Sequence, residues 1–194
     1  AALQPPVPEI EEPAVIVVGS GPVGMHLANR LRQHAPSTPI KVFGKENCTP
    51  YDRVGLSSFL AGQRSLDQLL DPSGLDSPDN TDMFVGRAIV EIDREGKRVK
   101  DQLGTWHPYT ELFLATGSVP HVPDIPGTHL SGVFRFRDMK DALGLMARSV
   151  RTRHTVIIGG GLLGIEAARA MAMRASDVTL VQHSDRLMNR QLDQ

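Results

Sequence analysis

Two glycine-rich segments carry the clearest chemistry in this chain. Gly19-Ser20-Gly21-Pro22-Val23-Gly24 and Gly159-Gly160-Gly161-Leu162-Leu163-Gly164 share the spacing G-x-G-x-x-G. Each comes after a β-branched run, Val15-Ile16-Val17-Val18 or Thr155-Val156-Ile157-Ile158, and each leads into a helical stretch. A strand, a tight glycine turn and a helix N-terminus let backbone amides approach a pyrophosphate, whose negative charge the helix dipole favours. In the first segment Gly19 permits the turn, Gly21 lets the backbone reach the phosphates, and Gly24 lets helix and strand pack closely. One such loop is a weak signal. Two in one chain point to two dinucleotides held near each other, and so to electron transfer between them.

Polar residues near these loops each admit two readings. A ribose-binding acid belongs at the end of the second strand, about 20 residues beyond the glycines. There the chain reads Gly44-Lys45-Glu46, so Glu46 is either a ribose ligand or a surface residue. In Pro50-Tyr51-Asp52-Arg53-Val54-Gly55-Leu56-Ser57-Ser58, the planar fork of Arg53 suits a pyrophosphate, or a surface pair with Asp52 or Glu46. Leu112-Phe113-Leu114-Ala115-Thr116-Gly117-Ser118 reads as a buried strand ending in a small-residue turn. Such a turn lets the chain pass close to a nucleotide, or is an ordinary strand exit. Glu166 lies two residues after the second loop. An acid in the first turn of a helix is favoured by the dipole; in a ligand cleft it also accepts a hydrogen bond from a carboxamide. The next strand tip, Val181-Gln182-His183, has no acid, and Arg186 and Arg190 lie downstream. Glutamine still binds a ribose hydroxyl, and the missing carboxylate removes repulsion against a 2′-phosphate, so NADH and NADPH are not separated.

The elements that must position these residues emerge from periodicity. A strand over 14–18, a helix over 22–34 and a strand over 40–43 form a βαβ unit, with Val23, Leu27, Ala28 and Leu31 facing the sheet. Ala35-Pro36-Ser37-Thr38-Pro39 breaks the helix. Short helices are expected around 57–60 and 66–70, and a mobile loop over 71–82. Strands are expected at 83–85, 88–93, 98–100, 105–106 and 111–115, with a hairpin turn over 93–97. A helix over 137–149 leads to a second βαβ: strand 154–158, helix 162–174, strand 178–181. The expected fold class is α/β: a Rossmann-like domain with a small β-rich excursion, then the start of a second Rossmann-like domain. The division reads 1–13 as a leader, 14–136 as the first domain and 137–194 as the second. A βαβ with two strands needs more partners, so the second domain reads as cut short.

Composition narrows the class. Hydrophobic residues make up 40% and charged residues 22%, a globular balance, and the net charge of −1 gives no general field for nucleic acid. No apolar run is long enough to span a bilayer. Ala1-Ala2-Leu3-Gln4-Pro5-Pro6 lacks a basic region followed by an apolar one, so no signal peptide is expected. The single cysteine, Cys48, forms no redox pair within the chain and fits a reducing compartment, so the expected location is cytoplasmic. The seven histidines show no metal-ligand spacing and read as surface or structural residues.

Together the motifs resemble the FAD-dependent pyridine nucleotide-disulfide oxidoreductases. G-x-G-x-x-G near the N-terminus, L-F-L-A-T-G-S-V-P in the middle and G-G-G-L-L-G-I-E later keep that family's order. Within it, P-Y-D-R-V-G-L-S-S and R-L-M-N-R-Q-L-D-Q are most similar to the N-terminal part of nitrite reductase large subunits; rubredoxin and ferredoxin reductases and NADH oxidase-like flavoenzymes are close relatives. The resemblance implies a flavoprotein passing hydride from NAD(P)H to FAD. Electrons would continue to an iron–sulfur or siroheme domain, or to a small redox protein. It places Gly19, Gly21, Pro22 and Gly24 on the FAD pyrophosphate and Glu46 at the ribose. Arg53 and Ser57 would lie along FAD, Ala88 beside the adenine, and Ala115, Thr116 and Gly117 over the cofactor. Gly159, Gly161 and Gly164 would hold NAD(P)H, with Glu166 near the nicotinamide. The chain departs from the pattern in lacking the family's cysteine pair, in carrying Ser58 where ferredoxin-reductase relatives have a lysine, and in lacking the later A-x-G-D segment. These departures imply no thiol chemistry here and incomplete FAD binding by this stretch alone. A nucleotide-binding scaffold or sensor on the same fold is the non-enzymatic reading.

Overall fold

The computed structural model describes residues 12–70, 81–189 and 192. Most of the expected leader, most of the 71–82 loop, and Arg190 lie outside the described residues. Two compact units form, Ala1–Tyr51 with Asp71–Gly117, and Asp52–Leu70 with Ser118–Gln194. The two units interleave along the chain.

In the first unit the chain runs β1 (Ala14–Val18), α1 (Pro22–His34), β2 (Ile40–Phe43), β3 (Thr81–Phe84), β4 (Ile89–Asp93), β5 (Arg98–Asp101) and β6 (Trp106–Leu114). The strands make one sheet in the order β3-β2-β1-β6-β5-β4. β3, β2, β1 and the later half of β6 are parallel, while β4, β5 and the earlier half of β6 are antiparallel. Every residue of β1 and β2 is buried, as a strand covered on both faces requires. Val15, Val17, Ile40 and Val42 pack with Met25 and Ala28 of α1. Ile16, Val18 and Phe43 pack on the other face with Val99 of β5. Each such apolar side chain contributes roughly 1.5–3 kcal/mol on burial.

Three expectations are corrected. Val23 is 72% exposed, because Gly24, Met25 and Ala28 form the buried stripe of α1 and turn it outward. The strands expected at 105–106 and 111–115 are one strand, β6. It changes partner part-way: Pro108 opposes Arg98 of β5, whereas Glu111–Leu114 run beside Val15–Val18 of β1. Pro108 lies just before the register shift at which the exchange occurs, a place where strands tolerate proline. The later half is not fully buried either, with Leu114 61% exposed.

A buried polar cluster fastens the antiparallel excursion. Asp101 is fully buried. Its Oδ1 accepts from the amides of Leu103 (2.9 Å) and Thr105 (3.0 Å). Its Oδ2 accepts from Arg87 Nε at 3.0 Å and lies 3.0 Å from His107 Nε2. The His107 ring in turn packs 4.8 Å from Phe43, which stacks on Phe84 at 4.7 Å. Burial pushes the Asp101 carboxyl up, but hydrogen bonds from His107, Arg87 and the two amides prevail and hold it at about 2.

The second unit contains a 3-10 turn (Arg53–Gly55), α2 (Leu56–Leu60), α3 (Leu66–Leu69), α4 (Met139–Ser149), β7 (His154–Ile158), α5 (Leu162–Met173) and β8 (Asp177–Val181). β7 and β8 pair in parallel. Leu60 of α2 shares a core with Ala170 and Met171 of α5 and with Leu145 and Met146 of α4, which is why 52–70 belongs here. Helix α4 starts at Met139 because Asp138 and Asp141 form a reciprocal capping box.

Asp101→Ala is expected to destabilise the protein by about 3 kcal/mol at neutral pH, read by urea unfolding, since it leaves Arg87 without its buried counter-charge and His107 and two amides without their hydrogen-bond partner. The depressed carboxyl stabilises the fold fully above its ordinary value of 3.8 and loses that contribution as pH falls through about 2. The gap between parent and variant should therefore shrink across that window. Equal stabilities at neutral pH would remove the cluster's structural role.

Candidate functional site

Sterics require two of the three glycines of the first loop, and the third is unconstrained by its surroundings. Gly19 has φ +119°, and a Cβ there would stand 2.1 Å from the Ala115 carbonyl oxygen. A Cβ on Gly24 would stand 1.8 Å from the Gly19 carbonyl oxygen. At Gly21, with φ −78°, a Cβ would meet nothing within 4 Å. Two glycines thus close the turn, and the third faces open space. Pro22 begins α1, where its missing N–H is no loss. The helix has no side-chain cap and no acid in its first turn, so its N-terminal amides and dipole are left to an anionic ligand.

The other predicted residues of this unit gather at the same carboxyl edge of the sheet. Gly19 N donates to Phe43 O, Ala115 N to Val18 O and Gly44 N to Phe84 O, each at 2.8 Å. These bonds tie together the ends of β1, β2, β3 and β6. Ligands of open α/β sheets bind outside the carboxyl ends where strand order reverses, and β1, between β2 and β6, is that point. Thr116 is exposed and Gly117 has φ +70° with open space around it. Glu46 is half-buried and its Oε2 accepts from the Tyr51 hydroxyl at 2.7 Å, which orients the carboxylate. Glu46 O also accepts from Gly86 N at 2.8 Å, and Ala88 O from Gln102 N at 2.8 Å, placing Ala88 at the start of β4.

The second loop repeats the first. A Cβ on Gly164 would stand 1.8 Å from the Gly159 carbonyl oxygen, Gly159 has φ +112°, and Gly161 faces open space. Gly159 N donates to Val181 O at 2.8 Å, as Gly19 N does to Phe43 O. Helix α5 also lacks a side-chain cap. One difference is that a Cβ on Gly159 meets nothing within 4 Å, whereas at Gly19 the exit of β6 stands close.

Several sequence readings change here. Glu166 is the fifth residue of α5, half-buried, and the first turn holds no acid, so the first-turn dipole account does not apply to it. Gln182, considered as a ribose ligand, has its Oε1 on Gly160 N (2.8 Å) and its Nε2 on Ser184 Oγ (2.7 Å). Arg53 and Ser57 belong to the second compact unit, not to the sheet that carries the first loop. Arg53 Nη1 donates to Arg137 O at 2.9 Å. Asp52, a partner considered for Arg53, takes Arg64 Nη1 at 2.7 Å, and that guanidinium holds its carboxyl below the ordinary range. Ser57 is half-buried in α2. The Tyr51–Glu46 and Gln182–Gly160 contacts were missed from sequence. Both arise from loop geometry, which leaves no periodic signal.

Among the described residues no group of His, Cys, Asp or Glu could hold a metal ion, and no helix is long and apolar enough to cross a membrane. Residues 13–194 match the family model of the pyridine nucleotide-disulphide oxidoreductases. The chain belongs to this family. Members of this family are FAD- and NAD(P)H-dependent oxidoreductases. The chain is 35% identical over 181 residues to a nitrite reductase [NAD(P)H] of Bacillus subtilis, covering 92% of this chain and 22% of that protein. It is 34% identical over 179 residues to a rubredoxin-NAD(+) reductase of Ectopseudomonas oleovorans, covering 91% of this chain and 46% of the relative. The chain thus spans less than half the length of these relatives. Its fold superimposes on a NAD-dependent persulfide reductase of A. fulgidus with a TM-score of 0.86 and 27% identity, over 93% of this chain and 35% of that one. The open second glycines and uncapped helices fit the dinucleotides of an oxidoreductase of this family.

Replacing Gly24 by Ala is expected to cost about 1–3 kcal/mol, because backbone must move to admit the methyl group. Gly21→Val should cost no more than about 1 kcal/mol in urea unfolding, yet abolish FAD retention in the full-length protein. Normal flavin content in the Gly21 variant would contradict the assignment of this loop.

Proposed function

We propose that the chain is the NAD(P)H- and FAD-holding part of a reductase that delivers electrons to a metal-centre acceptor, as part of an NAD(P)H nitrite reductase. The observation that carries this reading is the duplicated loop: two strand–glycine–helix turns of one geometry, each with an open second glycine. FAD when bound supplies the step from two-electron hydride acceptance to one-electron release. The residues of this chain bind and orient.

Gly19, Gly21, Pro22 and Gly24 would take the FAD pyrophosphate on the α1 N-terminus. Glu46, oriented by Tyr51, would accept from the adenosine ribose, with Ala88 beside the adenine. Ala115, Thr116 and Gly117 would close over the cofactor, and Arg53 and Ser57 would lie along it. Gly159, Gly161 and Gly164 would take the NAD(P)H pyrophosphate on α5. Glu166, half-buried in the second turn, would accept from the nicotinamide carboxamide. On this reading residues 14–136 serve FAD and 137–194 serve NAD(P)H. Cys48 is the only cysteine of the chain, so no dithiol relay operates within it, and a reducing, cytoplasmic compartment suits it. The acceptor would be an iron–sulfur and siroheme domain of the same protein. The similarity to a rubredoxin-NAD(+) reductase supports a second reading, in which the acceptor is a small redox protein.

In the full-length protein, Glu166→Ala should slow loss of flavin absorbance on rapid mixing with NAD(P)H at least about tenfold through poorer positioning, with FAD content unchanged. Equal reduction rates in parent and variant would remove Glu166 from the site.

A further inference from the structure

The residues after β8 fold back onto the second glycine loop and hold it. Gln182 Oε1 accepts from Gly160 N at 2.8 Å. Gly160 O accepts from Met188 N at 2.9 Å, and a Cβ on Gly160 would stand 3.2 Å from the Gln182 Cβ and meet the end of the Leu187 side chain. Both backbone groups of the middle glycine are therefore held by the 182–188 segment. Only the carbonyl end of an amide accepts from an N–H, so the orientation of the Gln182 carboxamide is fixed. Its Nε2 points away from Gly160, donating to Ser184 Oγ at 2.7 Å, and Ser184 Oγ donates to Arg186 O at 2.9 Å.

This clip occupies the position from which a dinucleotide loop ordinarily reads its adenosine ribose. An acid at the end of the second strand accepts from the 2′-hydroxyl and repels a 2′-phosphate. Here that strand tip carries Gln182, with both ends of its carboxamide already bonded within the protein. The neighbouring Arg186 is exposed, and a cation at this place attracts a 2′-phosphate. We propose that Gln182 is a positioning residue for the second glycine loop and not a ribose reader, and that the loop consequently accepts NADPH and NADH alike. The proposal rests on the reading of this loop as the NAD(P)H site.

The test is calorimetric titration of the full-length protein with NADP+ and NAD+, independent of turnover. The parent is expected to bind the two within about tenfold of each other, a difference of no more than about 1.4 kcal/mol. Gln182→Ala, which frees Gly160, should weaken both about tenfold and leave their ratio unchanged. Gln182→Glu keeps an acceptor for Gly160 N and adds the missing charge, while its second oxygen replaces the Nε2 donor and takes the Ser184 hydroxyl from Arg186 O. It should keep NAD+ affinity near the parent's while weakening NADP+ at least about tenfold. A Gln182→Ala variant that loses NAD+ but spares NADP+ would show that Gln182 reads the ribose hydroxyl, and would overturn the proposal. So would an unchanged ratio in Gln182→Glu. If the parent binds neither dinucleotide, the assigned function fails as well, which separates the two failures.

Discussion

Both glycine loops rest on one sub-contact approach. In each, the last glycine of the motif lies so close to the carbonyl of the first that a methyl group would stand 1.8 Å from its oxygen. That approach lets a strand pass into a helix with only the glycine turn between them. It brings the helix N-terminus up to the end of the strand, where the amides of the first turn face outward without a cap. A bulkier residue at Gly24 or Gly164 would push helix from strand and dissolve the anion-binding geometry. The buried runs of β1 and β2 serve this turn by giving α1 a fixed surface to pack on.

Beyond the turn the two units differ. In the first, the exit of β6 reaches Gly19, and the strand ends are joined by short backbone hydrogen bonds into one edge. The aromatic stack of Phe43 and Phe84 continues from that edge into the Asp101–His107–Arg87 cluster. In the second unit no such strand stands by the glycines among the described residues. The returning segment of Gln182, Ser184 and Met188 holds the loop instead. Similar backbone geometry is supported by different side-chain chemistry.

The parts legible in the sequence were those fixed by local rules. Val15–Val18 and Thr155–Ile158 read as strands because both runs are wholly β-branched, and the glycine spacing reads as a loop because only glycine meets the steric demands at its first and last positions. The helices α1 and α5 were legible from spacing, although the phase at Val23 was not, since one residue at a helix start is weakly constrained. Other features were illegible because they join distant positions. β6 reads as two pieces until β5 and β1 are both in place to pair with its halves. Asp101 and His107 sit on neighbouring strands with no pattern to announce them. The bond from Gly160 N to Gln182 joins positions 22 apart and leaves no local sequence signal. The grouping of 52–70 with 118–194 likewise arises from helix packing around Leu60, which no composition shift marks.

If the two turns are what they are proposed to be, each glycine loop holds one pyrophosphate on its helix N-terminus. A crystal structure of the full-length protein with FAD and NADP+ bound would decide this. One pyrophosphate is expected against the Gly21 backbone at the start of α1 and a second against the Gly161 backbone at the start of α5. Density for both dinucleotides lying away from either loop would contradict the proposal.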